Sequence, residues 1–453
     1  MKSKKFVLAG LVLLAITGLL ALSGCKNDTV PETPAAKLVS ISVTPPTSTV
    51  YSVGQSFDPT GMKVTATYDD GEERTVTGAI TTDTSTLTQS AGIGKPVTVS
   101  YMEGYTTKEA TFTIDVASYQ FTETVQDTGG NYKKFGDWPQ TIKEEGVEIG
   151  SGTLVRGGLT YHVGSDGNYY VKITAKPYED TYTYTYSDGN LVEKDKEVYF
   201  KVEPIVWRVL TTNYTAPPEG GTVGEILLLA ESILTGGIPY YHFDWEEGGL
   251  SGMEWSGPRI IGNKTIHPNN YEHSQIRAWL NGLSYESKES EEAKQSSKDE
   301  YKNAGFLQTA FTESAQKLIE LTSVDNSAAS TTDAGSNLLP ATKYACANTM
   351  DKVFLLSEKE ATTSDYGFDE YDRWVGDDYV TTSSTRIRVT TDYAKATGAY
   401  QGDSYGGRWW LRSPFYYIVS FARGIDDGGN ASNYSRVSDT RKGVVPALSI
   451  SLQ

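Results

Sequence analysis

Hydrophobic and polar positions alternate with period two through the early part of the chain. Leu38–Val43 (LVSISV), Lys63–Tyr68 (KVTATY), Val97–Tyr101 (VTVSY) and Ala110–Val116 (ATFTIDV) each place every second side chain on one face. That period is the mark of a half-buried strand. Asp69-Asp70-Gly71 falls between two such runs and supplies a hairpin turn. Thr and Val dominate and helix signals are missing, so residues 37–117 are expected to form an all-β sandwich.

The pattern changes after a short joint, residues 118–131. Phe135–Thr141 (FGDWPQT) opens a long C-terminal region, 132–453, and a hairpin-like run follows at Tyr182–Val192. Val198–Leu210 (VYFKVEPIVWRVL) alternates as a strand, and Glu225–Ala230 (EILLLA) is apolar throughout, as a strand covered on both faces would be. Ser274 is a helix-capping residue ahead of Ile276, Trp279 and Leu280, which share one helical face. Phe311–Leu321 has the apolar spacing of a second amphipathic helix, and Asp351–Ser357 (DKVFLLS) predicts a further strand or turn. Glu286–Lys302 is charged and Ser-rich, a solvated helix end or loop, and Ala361–Tyr405 is long and polar. Strands at both ends with two helices and long loops between them give an α+β class.

Charge and cysteine usage narrow the setting. The formal charge is −17 over 453 residues, so the phosphates of a nucleic acid would be repelled and that partner is excluded. Lys2, Lys4 and Lys5 precede an apolar run from Phe6 to Leu22 that ends in Leu22–Cys25 (LSGC). The arrangement resembles a bacterial lipoprotein signal: residues 1–24 would be the leader, Cys25 the lipidated residue and 25–36 a Pro-rich tether. The expected location is the bacterial cell envelope, lipid-anchored, on the outer membrane and facing outward. Cys346 is then the one cysteine left, so no internal disulfide is expected.

Two resemblances organise the rest. Ile41–Pro46 (ISVTPP), Tyr51–Gly71 and Thr111–Val116 (TFTIDV) resemble the immunoglobulin-like modules of bacterial surface proteins. A spacer role is the expectation for 37–117. The ordered set FGDWPQ, EPIVWRVL, ILLLA, SQIRAWLN, DKVFLLS, WWLRSP and GVVPALSI, from Phe135 to Ile450, resembles a bacterial extracytoplasmic family related to the C-type lectin fold of the formylglycine-generating-enzyme type. Within it, 408–453 resembles the variable region of proteins diversified by a retroelement. That resemblance implies a reverse transcriptase that miscopies adenines. Asn codons of the AAY form then become the main diversified positions, reaching many residues but neither Trp nor Lys.

On that reading Phe415, Tyr416, Tyr417, Ile418, Ser420, Phe421, Asp426, Asp427, Ser432, Asn433, Tyr434, Ser435, Arg436, Ser438, Asp439 and Arg441 are the candidate ligand-binding residues. Trp409 and Trp410 belong to the frame, and Lys442 departs from the pattern. The segment mixes bulky rings with Ser, Gly, Asn, Asp and Arg, the composition of adaptable binding surfaces. The rings are expected to face water together, with Arg423, Arg436 and Arg441 beside Asp426, Asp427 and Asp439 at their rim. The ligand is expected to be a protein, with a glycan as the other possibility.

An extracytoplasmic enzyme of the formylglycine-generating type, acting on envelope substrates, is the competing expectation. That family's activity uses a reactive cysteine pair, whereas Cys346 stands alone and has no basic cluster to lower its pKa. His267 and His273 are six apart, off the spacing that places two ligands on one helical face, and His162 and His242 are distant in sequence. Tyr240, Tyr241, His242, Asp244 and Trp245 could line a pocket, or could equally form an ordinary aromatic loop. No hydrolase elbow, zinc-protease motif or phosphate loop occurs. No catalytic residue, cofactor or metal site is therefore expected.

Overall fold

A computed structural model of the chain describes residues 35–81, 86–178, 184–214, 225–241, 259–261, 264–285, 301–331, 346–369, 373–375, 378–380, 382–402, 406–415, 418–431 and 433–451. The leader, Cys25 and most of the tether lie outside these residues. So do Glu286–Glu300, His242, Asp244, Trp245, Tyr416, Tyr417 and Ser432.

The N-terminal region is a β-rich, Ig-like sandwich of two sheets around one core. One holds Leu38–Thr44, Lys63–Tyr68 and Glu73–Val76; the other orders Val50–Ser52, Thr106–Ala117, Gly92–Glu103 and Ile80–Thr81. The alternation in Lys63–Tyr68 turns Val64, Ala66 and Tyr68 inward, where they meet Val97, Val99, Phe112 and Ile114 in a core of their own. Asp70-Gly71 makes the expected turn, with Gly71 at φ 84°, a conformation open to Gly.

The C-terminal region is mixed, mostly strands with a few short helices. Its main sheet has nine strands, running Leu154–Arg156, Leu159–Val163, Tyr169–Thr174, Glu197–Tyr214, Glu225–Ala230, Ala447–Ser451 and Val353–Phe354, with Tyr132–Ile142 and Gln126–Asp127 branching from Glu197–Tyr214. Glu197–Tyr214 carries its period-two pattern cleanly through Val198–Val202, where buried and half-buried residues alternate, and resumes it after a break at Glu203-Pro204. Register slips beside Pro204, which has no N–H to give to the ladder. Every residue of Glu225–Ala230 is buried between two neighbours, which explains its lack of alternation. Ala447–Ser451, the last strand among the described residues, is an interior strand, held between Glu225–Ala230 and Val353–Phe354.

Ser274 caps the helix Gln275–Asn281 as the sequence indicates, its Oγ accepting from Arg277 N at 3.2 Å, and Gly282 ends it at φ 65°. Ile276, Trp279 and Leu280 are all buried. The expected helix over Phe311–Leu321 is not formed as one piece. Phe306–Ala310 is helical, Phe311 leaves the helix in an extended conformation, and Thr312 caps a separate turn, Glu313–Gln316. Phe311 is better used in the core, packing on Phe135 at 4.9 Å between ring centres.

The joint over 118–131 is packed at Tyr119, Phe121, Thr122 and Val125 and exposed elsewhere. Phe121 stacks on Tyr169 at 4.9 Å, and Arg156 covers its ring at 4.1 Å. Tyr119 Oη and the Thr122 amide donate to the buried Asp137 carboxylate at 2.6 and 2.8 Å. Asp115, from the Ig-like domain, accepts from Gly94 N and Gly152 N and so ties the two regions together. Among the described residues no helix is long and apolar enough to cross a membrane.

Candidate functional site

The tail folds as a small three-stranded sheet, Trp409–Pro414, Phe421–Ile425 and Tyr434–Arg436. Its three strands differ sharply in burial. All six residues of Trp409–Pro414 are buried. Trp409 Nε1 donates to Arg386 O at 3.2 Å, and Trp410 packs on Tyr240 at 5.6 Å. Arg412, fully enclosed, donates to Leu355 O at 2.8 Å and pairs with both carboxylate oxygens of Glu360. That pairing raises its pKa against the opposing effect of burial. The middle strand is buried except at Phe421, and the outer strand exposes Tyr434 and Arg436 while Ser435 is half-buried.

The loop before the middle strand is held from beneath by Asn269. Its Nδ2 donates to the carbonyls of Phe415, Ile418 and Phe421 at 3.3, 3.4 and 3.1 Å, and its own amide to Val419 O at 3.1 Å. Sequence reasoning passed over Asn269; the His-Pro-Asn-Asn turn at 267–270 was the available signal. Glu358 was missed too, since it pairs from another part of the chain with Arg423 at 3.1 Å.

The candidate residues divide by environment. Phe415 corrects the expectation of an outward ring: it is 8% exposed, stacked on Tyr434 at 4.2 Å and covered behind by Arg423 at 5.0 Å. Arg423 is likewise buried rather than at a rim. Asp426 is spent on a turn, accepting from Gly428 N and Asn430 N, and Asp427 accepts from Arg408 Nε at 3.1 Å. Asn433 points inward, its Oδ1 accepting from Lys442 Nζ at 2.6 Å. Ile418, Ser420, Phe421, Ser435, Ser438 and Asp439 are half-buried, and Tyr434, Arg436 and Arg441 are exposed. Arg441 pairs with Asp439 at 2.9 Å. Tyr416, Tyr417 and Ser432 fall outside the described residues.

The region suggested for a catalytic pocket is core where it is described. Tyr240 and Tyr241 are buried, and Tyr240 Oη donates to Arg412 O at 3.0 Å. Burial pushes the Cys346 thiol up to about 11, a poor state for a nucleophile. Among the described residues no three His, Cys, Asp or Glu side chains gather to hold a metal ion. A cleft of about 440 Å³ lies elsewhere, walled by Trp138, Trp279, Tyr301 and Tyr393, with Lys176 the one charged side chain in its lining. It brings together no acid and base.

Residues 224–452, just over half of the chain, match the family described as Domain of unknown function (DUF6273), and the chain belongs to that family. Residues 44–116 match the Bacterial Ig-like domain (group 3), a type of domain typical of surface-exposed or secreted bacterial proteins. No curated protein matches the chain.

Proposed function

We propose that this protein is a lipid-anchored surface receptor or adhesin, held to the membrane through Cys25, in which an Ig-like spacer carries a C-type lectin-like domain. Its ligand-binding face is the outer layer of the tail, and the ligand is a protein. The tail is similar to the variable region of the treponemal variable protein, a surface lipoprotein diversified by a retroelement, and we extend that role to this chain.

One observation carries the reading: the tail is split into layers with opposite tolerances. Trp409–Pro414 is wholly buried and hydrogen-bonded to three other parts of the fold, at Arg386, Leu355 and Thr331. Tyr434, Arg436 and Arg441 stand outside it and face water. A random change in the inner layer would cost several kcal/mol, a large share of total stability, whereas the outer layer can vary at little cost. An exposed ring beside arginines is also the kind of anchor that dominates protein interfaces.

The test is made on DNA and on protein. Sequencing the flanks of the gene is expected to find a near-copy of the segment coding for 408–453, differing at adenines, beside a reverse transcriptase. Independent isolates are expected to differ at Ile418, Ser420, Tyr434, Ser435, Arg436, Ser438 and Arg441 and to agree at Trp409–Ser413. An invariant outer layer across isolates, with no such copy, ends the diversification reading.

A further inference from the structure

Lys442 is the tail residue that packing explains least. It is 0% exposed, although a Met of similar length would fill the space without removing an ammonium from water. Among the described residues its hydrogen bond goes to Asn433 Oδ1 at 2.6 Å, and the ammonium lies 5.6 Å from the centre of the Trp410 ring. Gly424 keeps the route open, since a Cβ there would stand 2.6 Å from Nζ. Asn433 immediately precedes the outer strand, and its carbonyl accepts from Gly424 N at 3.0 Å. Backbone and side chain of one residue are thus both pinned at the point where that strand begins.

We propose that Lys442 is the positioning residue of the binding face: through Asn433 it fixes the start of Tyr434–Arg436, and hence where Tyr434 and Arg436 stand. The proposal rests on reading the tail as a recognition surface, and it moves Asn433 from ligand contact to support. A three-residue edge strand bonded on one side has little register of its own, and a slip of one residue would turn Tyr434 inward. An apolar residue at 442 would tolerate such a slip. A buried lysine head group, amine or ammonium, does not, because leaving Asn433 strands its N–H groups without an acceptor. The charged groups around it are committed elsewhere: Asp439 to Arg441, Asp426 to the amides of Gly428 and Asn430, and Asp427 to Arg408.

Hydrogen exchange on the folded protein tests the assignment. In Lys442→Met and in Asn433→Ala, the amides of residues 434–437 are expected to exchange about tenfold faster, the scale of one lost hydrogen bond. Those of Trp409–Leu411 are expected to stay protected. Asn433→Asp is expected to restore protection and to raise the pH at which the Lys442 amine titrates by NMR, a response that a merely space-filling lysine would not give. Unchanged exchange in Asn433→Ala, which alone decides the matter if Lys442→Met does not fold, overturns the proposal. So does equal loss of protection through Trp409–Leu411. None of these measurements uses a ligand, so a failure of the receptor reading and a failure of this one are separately visible.

Discussion

Phe415 and Tyr434 stack on each other, yet the two rings do opposite work. Phe415 is enclosed between Tyr434 and the buried Arg423, so truncating it removes contacts on both sides and strands a paired charge beside a void. Phe415→Ala is expected to cost about 3–5 kcal/mol in urea denaturation, the range for a buried ring. Tyr434, nearly half exposed, should cost less than about 1 kcal/mol on the same change. Equal costs would mean that the outer strand is core and cannot carry a variable surface. Lys442 gives a pH signature at the same scale. Burial depresses its pKa from 10.5 to about 7, with Arg408 acting the same way and Asp439, Asp426 and Asp427 opposing. Between those two values the unfolded chain holds a proton that the folded chain has released, so this residue makes stability rise with pH from about 7 towards 10.5. Below about pH 7 both states are charged and its penalty is full and constant. Comparing unfolding free energies of wild type and Lys442→Met across that window should show a rise in the first that is flattened in the second.

At the scale of elements, the loop from Phe415 to Phe421 depends on a residue more than a hundred positions away. Asn269 gives its side-chain amide to three of that loop's carbonyls. Asn269→Ala removes this donor from all three, the Ile418 and Phe421 carbonyls keeping the amides of Phe421 and Phe415, and is expected to lower stability by about 1–3 kcal/mol, read from the denaturant midpoint. No change would mean that water replaces the amide there. This dependence also marks where the sequence stopped being readable. Strands with a strong local pattern, Glu197–Tyr214 and Glu225–Ala230, and the capped helix at Ser274 were legible because local periodicity and local capping decide them. Phe311–Leu321 was not, because Phe311 leaves its helix for a contact with Phe135 that no local pattern encodes. In the tail, the frame of Trp409–Pro414 was legible from its bulk. The inward turns of Phe415 and Asn433 were not, since each is fixed by a distant or later partner: Arg423 and Glu358 for one, Lys442 for the other.

For the whole molecule, a face that must meet a partner gains from a rigid mount, and the seam between the two regions provides one. Val50 and Ala117 of the Ig-like domain belong to the same apolar cluster as the C-terminal sheet, and Phe121 fills the angle between Tyr161 and Tyr169. The polar centre of the seam is Asp115, buried and accepting from Gly94 N at 2.7 Å and Gly152 N at 2.6 Å, one amide from each side. Gly150 and Gly152 let the carboxylate approach so closely, for a Cβ on either would lie within 2.8 Å of it. Hydrogen bonds to a charged acceptor are the stronger kind, so this single side chain couples the unfolding of one region to the other. Calorimetry of the wild type should therefore show one cooperative transition. Asp115→Ala takes the acceptor from the buried Gly152 amide and from the Gly94 amide without touching either hydrophobic core, and it is expected to split that transition in two, with the Ig-like domain melting by itself. Protease cleavage within 118–131 is expected to appear in the same variant, because the packed joint then opens below the melting of the main sheet. A single undivided transition in Asp115→Ala would show instead that the rest of the seam, with the packing of Val50, Ala117 and Phe121, joins the two bodies without it.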